Sequence, residues 1–171
     1  MSNNAAAGID LLCLDVDGVM TDGSIHLDDN GVETKRFHAR DGTGLRVWIR
    51  LGYHVALITG RSGKALQHRA AELDIRHVIQ ASTDKARSLD ELLKELSLTP
   101  AQTAVLGDDL PDLPMMRKAG YAMAVADATA EIRQAAAFVT TRAGGDGAVR
   151  EAVEHLLKAK RRWGEAVDLF G

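Results

Sequence analysis

Four stretches of the chain carry residues that could do chemistry, and their side chains are mostly oxygen acids. "LLCLDVDGVMTDG" holds Asp15, Asp17 and Thr21, "ITGRS" holds Thr59, Gly60, Arg61 and Ser62, Lys85 stands alone, and "LGDDLPD" holds Asp108, Asp109 and Asp112. Carboxylates gathered in one cleft repel unless a divalent cation offsets them, and an oxygen-only ligand set without Cys or clustered His points to Mg2+. "TGRS" entering a helix offers a hydroxyl and free backbone amides to an anion, and Lys85 adds a point charge. A cation site beside an anion site suggests phosphate. A carboxylate such as Asp15 can attack phosphorus to give an aspartyl-phosphate. A second carboxyl, here Asp17, can protonate the leaving alkoxide and later take a proton from water. Side chains two apart in a strand point the same way, so a turn starting at Gly18 is needed to swing Asp17 round and bring its carbonyl to the metal.

Blander readings compete with these. An isolated D-x-D after a strand is more often a turn and helix cap, and "TGRS" alone can simply start a helix. The joint occurrence of the four stretches in this order is what argues for chemistry. Asp109 and Asp112 stay ambiguous, because acids in a first helical turn complement the macrodipole without any metal. His26, His54, His68, His77 and His155 show no ligand spacing and are read as structural. Cys13 sits in an apolar run and is read as a buried, unpaired thiol.

The elements that must position these residues can be read from periodicity. Short apolar runs at 11–14, 54–58, 77–79, 103–106 and 121–125 suit strands buried on both faces. Helical spacing covers 85–96, through Leu89, Leu92, Leu93 and Leu96, and returns in Val149, Val153, Leu156 and Leu157. Strand and helix in alternation predict a parallel α/β sheet, whose right-handed crossovers bring the carboxyl ends of the strands to one edge. All four stretches lie at such ends. "GSIHLDDNGVETKRFH" breaks the alternation; its two runs around Asp28, Asp29, Asn30 and Gly31 predict a β-hairpin within about 22–38 that could cover the site.

At 171 residues and 46% apolar, without linker, repeat or low-complexity tract, residues 1–171 are expected to form one domain. The final stretch, 147–171, is read as a helix followed by a basic and then apolar tail. Its charges suit a solvated helix end, and docking on another subunit is the sharper alternative. With 21 basic against 24 acidic residues, a nucleic-acid partner is not expected. The opening "MSNNAAAGID" lacks a targeting pattern and no segment has the length to cross a bilayer, so a cytoplasmic protein without a membrane partner is expected.

"DVDGVMT", "ITGR", Lys85 and "GDDLPD", in this order, resemble the four motifs of the haloacid dehalogenase-like (HAD) phosphatases. Within that superfamily the hairpin in place of a cap domain, "RFHARDGTGLR" and "AGGDGAVRE" resemble the 3-deoxy-D-manno-octulosonate 8-phosphate phosphatases. The resemblance implies a Rossmann-like parallel sheet with helices on both faces, Mg2+ dependence, and a homotetramer in which a neighbour helps to close each site. It implies that Asp15 is nucleophile and metal ligand, Asp17 acid/base and backbone ligand, and Asp108 the remaining protein ligand. Thr59, with Gly60 of the same motif, and Lys85 match the phosphate binders. His38, Ala39, Arg40, Asp41 and Gly42, with Arg46, Arg61, Arg69 and Asp109, match positions contacting the sugar acid or its phosphate. Several Arg residues near one cleft suit a substrate bearing both carboxylate and phosphate. Thr43 in "DGTG" and Asp146 in "GGDG" depart from the family's usual residues.

Other readings make different demands. A phosphoacceptor signalling module would place adjacent acids after its first strand and its acceptor Asp after the third, whereas here the third strand leads to Lys85. A catalytically idle subunit would not need Asp15, Asp17, Lys85 and Asp108 together. A phosphatase of another nonulosonate 9-phosphate shares the motifs and stays open.

Overall fold

The computed structural model describes residues 3–171; Met1 and Ser2, which begin the stretch read as free of a targeting pattern, lie outside the described residues. The elements are α1 (Asn3–Ala7), β1 (Leu11–Leu14), a hairpin of β2 (His26–Leu27) and β3 (Glu33–Thr34), α2 (Ala39–Arg50), β4 (His54–Ile58), α3 (Lys64–Glu72), β5 (His77–Ile79), α4 (Lys85–Leu96), β6 (Thr103–Gly107), α5 (Leu113–Lys118), β7 (Tyr121–Ala124), α6 (Ala130–Ala135), β8 (Phe138–Val139), α7 (Ala148–Ala159) and α8 (Trp163–Asp168).

Every residue of β1 is fully buried because β4 and β6 flank it, with Leu11 opposite both His54 and Thr103, and helices cover its faces. Burying each such Leu contributes roughly 1.5–3 kcal/mol, offset by the entropy of ordering it. The six strands are all parallel in the order β5-β4-β1-β6-β7-β8. The helices pack in two groups, α1, α2, α7 and α8 in one and α4, α5 and α6 in the other, as right-handed crossovers in opposite directions from β1 require. Strand order therefore reverses between β1 and β6. In open α/β sheets the crevice for a ligand opens beyond the strand ends at that point.

The predicted strands over 11–14, 54–58 and 77–79 form with those bounds, as does the helix over 85–96, while β6 runs one residue longer and β7 one shorter than expected. The two-residue β8 was not anticipated, since "AFV" is too short a run to stand out. The hairpin has only two paired residues in each strand. Asp28 Oδ1 closes its turn by accepting from the backbone N–H of Asn30 and Val32 at 2.9 and 2.8 Å. The tail, expected to be a solvated helix end, instead turns back as α8: Ala166 is buried and Arg162 reaches the Tyr53 hydroxyl at 2.7 Å. Val167, Leu169 and Phe170 stay exposed.

Candidate active site

Asp15 follows β1 directly and remains in register, its N–H donating to the Leu106 carbonyl at 3.2 Å, so the sheet itself fixes the carboxylate at the reversal point. Asp108 occupies the equivalent place after β6. Asp15, Asp108 and Asp112 each offer a carboxylate oxygen to a group whose members all lie within 4.8 Å of one another. Lys85, first residue of α4, reaches in from the other side of β1, its Nζ 2.7 Å from Asp15 Oδ1 and 2.7 Å from Asp112 Oδ1. Asp112 is fully enclosed, and its Oδ2 accepts from the backbone N–H of Asp108 at 3.0 Å and of Asp109 at 3.4 Å. It thus both shapes the loop after β6 and faces the acid cluster, joining the two roles between which the sequence could not choose.

The loop after β1 makes room for this arrangement. Gly18 has φ +91°, and a Cβ there would overlap the Asp108 carboxylate. Thr21 Oγ1 accepts from the N–H of Gly18 and Gly23, which ties the loop into a turn. Gly144 lies on the Gly18 carbonyl with no space for a side chain, so the segment before α7 braces the loop from behind. Asp17 turns away from the acid cluster, as the Gly18 turn predicts, and its Oδ1 accepts from Lys35 of the hairpin. After β4, Thr59 is buried and its Oγ1 accepts from the Arg61 N–H at 3.1 Å. Helix α3 starts only at Lys64, and the Gly63 N–H donates to Gln80 Oε1 at 2.6 Å. "TGRS" is therefore a loop leading into the helix, as expected, rather than the first turn that the blander reading made of it.

Asp15, Asp17, Thr59, Gly60, Arg61 and Lys85 line one open cavity of about 840 Å3, with Ser82 and Thr83 after β5. Its electrostatics ask for a cation. Burial, then the charge of Asp112, push the Asp15 carboxyl above its ordinary range, and Lys85 does not offset them. Asp108 is pushed up further, by burial first and then by Asp15, Asp112 and Asp109. Burial works against the Lys85 ammonium, yet Asp15 and Asp112 raise it overall. Asp108 Oδ1 and Asp17 Oδ2 are buried without a hydrogen-bond partner. Oxygen donors alone, an unpartnered Asp108 oxygen and an uncompensated cluster fit Mg2+. Cys13 stands apart from this chemistry: burial, the main cause, pushes its thiol up to about 12.

Other residues singled out in the sequence lie elsewhere. Asp41 is buried, and it accepts from the N–H of Gly147 at 3.3 Å and of Arg150 at 2.8 Å, capping the start of α7. Gly42 is backed by the Arg69 guanidinium, which bonds the His38 carbonyl at 3.4 Å and lies over the Phe37 ring. His38 Nε2 is 3.9 Å from Asp146 Oδ1. Ala39 and Arg46 are exposed on α2, and Arg40 faces a separate cleft of about 350 Å3 with Arg142 and Arg150. Asp109 is exposed and its Oδ1 accepts from the Leu110 N–H at 2.8 Å. None of these lines the 840 Å3 cavity. Lys35 and Glu33, which the sequence reading passed over, belong beside it. Their i, i+2 spacing, which aims both side chains to one face of a strand, was the available signal.

A parallel sheet whose order reverses at β1, with an aspartate after β1, a threonine after β4, a lysine after β5 and a second acid group after β6, defines a haloacid dehalogenase-like hydrolase. A family model of that description matches residues 74–152. The 3-deoxy-D-manno-octulosonate 8-phosphate phosphatase KdsC of Escherichia coli K12 is 45% identical over 161 residues, covering 94% of this chain and 86% of that protein. The Yersinia pestis enzyme of the same name has a crystal structure 44% identical with a TM-score of 0.93, covering 95% of this chain and 88% of that one. The Moraxella catarrhalis enzyme, solved with magnesium, phosphate and KDO, is 40% identical with a TM-score of 0.96, covering 99% and 97%. The chain belongs to the 3-deoxy-D-manno-octulosonate 8-phosphate phosphatase family of the haloacid dehalogenase-like hydrolases.

Proposed function

We propose that the chain is a Mg2+-dependent phosphomonoesterase that hydrolyses 3-deoxy-D-manno-octulosonate 8-phosphate to the free sugar acid and inorganic phosphate, in lipopolysaccharide precursor synthesis. The carrying observation is that Asp15, Asp108 and Asp112 converge beside Lys85 and Thr59 at the end of β1. Asp15 attacks phosphorus; the ester P–O bond breaks, and its electron pair leaves on the sugar oxygen, which takes a proton from Asp17. Asp17 then accepts a proton from water as that water attacks the aspartyl-phosphate, and the bond between phosphorus and Asp15 breaks. Thr59, Gly60 and Lys85 hold the phosphoryl oxygens. Asp15, Asp108 and the Asp17 carbonyl would hold Mg2+, which when bound neutralises charge on nucleophile and phosphoryl group.

Residues 1–171 act as one catalytic domain, with the hairpin as its cover. His38, Ala39, Arg40, Asp41, Gly42, Arg46 and Arg69 lie outside the chain's own cavity, which supports a homotetramer in which these residues of one subunit serve the sugar acid at another; Asp41 holds its stretch in place, Arg61 serves the subunit's own site from the cavity wall, and Asp109 serves it from outside the cavity, beside Asp108. The exposed Ile25, Leu27 and Val32 of the hairpin suit a contact between copies. The reaction is assigned to the cytoplasm, where a free metabolite bearing both a carboxylate and a phosphate is retained. Among the described residues no helix is long and apolar enough to cross a membrane. Phosphate release from a panel of sugar phosphates, with Mg2+ and with EDTA, tests the reading. The octulosonate 8-phosphate should be turned over fastest and only with metal; equal turnover in EDTA, or preference for a nonulosonate 9-phosphate, would contradict it.

A further inference from the structure

The hairpin is exposed along most of its length, yet the Lys35 side chain is only 4% exposed and its Nζ donates to Asp17 Oδ1 and, at 3.0 Å, to Glu33 Oε1. Glu33 Oε1 in turn accepts from Arg61 Nη2 at 3.0 Å. The hairpin is thereby fastened to the loop after β1 and to the loop after β4, the two loops that carry the acid/base and the phosphate binder. Lys35 does not line the main cavity; it lies in a small crevice with Val16, Leu66 and Gln80, and Asp17, Thr59 and Arg61 border both. One Asp17 oxygen is therefore committed to Lys35, and the other, Oδ2, is buried without a partner.

From this arrangement we infer that Lys35 is the positioning residue of the acid/base: it holds the Asp17 carboxyl in one rotamer, so that Oδ2 is the oxygen that carries the proton. This rests on the phosphatase reading above. A carboxyl free to rotate presents its proton-carrying oxygen only part of the time, and misplacement of such a group by about 1 Å can cost 10²-fold in rate. The Glu33 carboxylate beside Lys35 keeps the amine from acting as an unbalanced charge, and its bond to Arg61 keeps the hairpin seated. Docking of the hairpin and readiness of Asp17 are thus one event, and the cover serves also as the scaffold of the proton donor.

A general acid matters for an alkyl phosphate, whose alkoxide must be protonated as it leaves, and little for p-nitrophenyl phosphate, whose leaving group is stable as an anion. Replacing Lys35 should therefore act unequally. In Lys35→Met, kcat/KM for the sugar phosphate is expected to fall about 10- to 100-fold, and for p-nitrophenyl phosphate less than about threefold. Asp17→Asn should show the same asymmetry, and Asp17→Asn/Lys35→Met should lose no more than Asp17→Asn alone, because Lys35 acts only through Asp17. Equal losses on the two esters, additive losses in the double variant, or no loss in Lys35→Met would each overturn the inference. If Lys35→Met fails to fold, because Asp17 loses its partner and Glu33 keeps only Arg61, Glu33→Gln/Lys35→Met carries the same comparison. Wild-type protein that released phosphate from neither ester with Mg2+ would instead contradict the phosphatase reading, and the inference with it.

Discussion

At position 15 a carboxylate sits where burial and Asp112 disfavour its charge, as burial and Asp15 do at Asp108, and this conflict is what would give the site its affinity for a cation. In the metal-free protein Asp15 and Asp108 keep protons that the unfolded chain has already released, so stability falls as pH rises from the ordinary carboxylate range towards neutrality. Mg2+ removes the penalty by displacing those protons. The rise in melting temperature on adding Mg2+ should therefore be larger at pH 7.5 than at pH 5.5 in scanning fluorimetry; equal rises would contradict the cluster as the metal site. Asp17→Asn should lower kcat for the sugar phosphate about 10²- to 10⁴-fold while Mg2+ binding persists, as the side chain faces Lys35 rather than the acid cluster. Asp15, Thr59, Lys85 and Asp108 were legible in the sequence as candidates because each follows a readable strand or starts a readable helix, and Asp17 because it stands two residues from Asp15. Lys35 was not, since a lysine in a polar hairpin reads as solvated until the docking of that hairpin is known.

Among the elements, the central strands were legible from composition alone: "LLCL" and "HVALI" have no polar face to turn to water. β8 escaped because two residues carry no periodicity, and α8 because its single buried Ala166 leaves almost no pattern. Asp41 shows the limit most clearly. The family resemblance makes it a ligand contact in "ARDGTG"; the fold shows besides that its carboxylate caps a helix that begins more than a hundred positions later, a pairing set by the packing of α2 on α7. Asp41→Ala should cost about 1–2 kcal/mol, seen as a melting temperature lower by about 2–8 °C. An unchanged melting temperature would refute the capping role. Gly144→Ala should act differently, pushing the 18–22 loop off its brace and lowering both stability and turnover, whereas a fully active, equally stable variant would show that the loop tolerates displacement.

For the whole molecule, the arrangement leaves one half of the proposed substrate unserved within a single chain: Asp15, Asp17, Thr59 and Lys85 line the cavity, while most of the arginines assigned to the sugar acid lie outside it. Assembly through the hairpins would bring the two halves together. Leu27→Lys/Val32→Lys should therefore reduce the particle mass in light scattering and remove most turnover of the sugar phosphate; an unchanged mass would contradict the hairpin contact. Beneath the proposed assembly, metal site and cover lies one proposed covalent event at the end of β1. Acid quench during turnover, borohydride reduction of the acyl phosphate and peptide mass spectrometry locate it directly. The expected result is conversion of Asp15, and no other aspartate, to homoserine; active turnover with the label elsewhere, or with none, would contradict a phosphorylated Asp15.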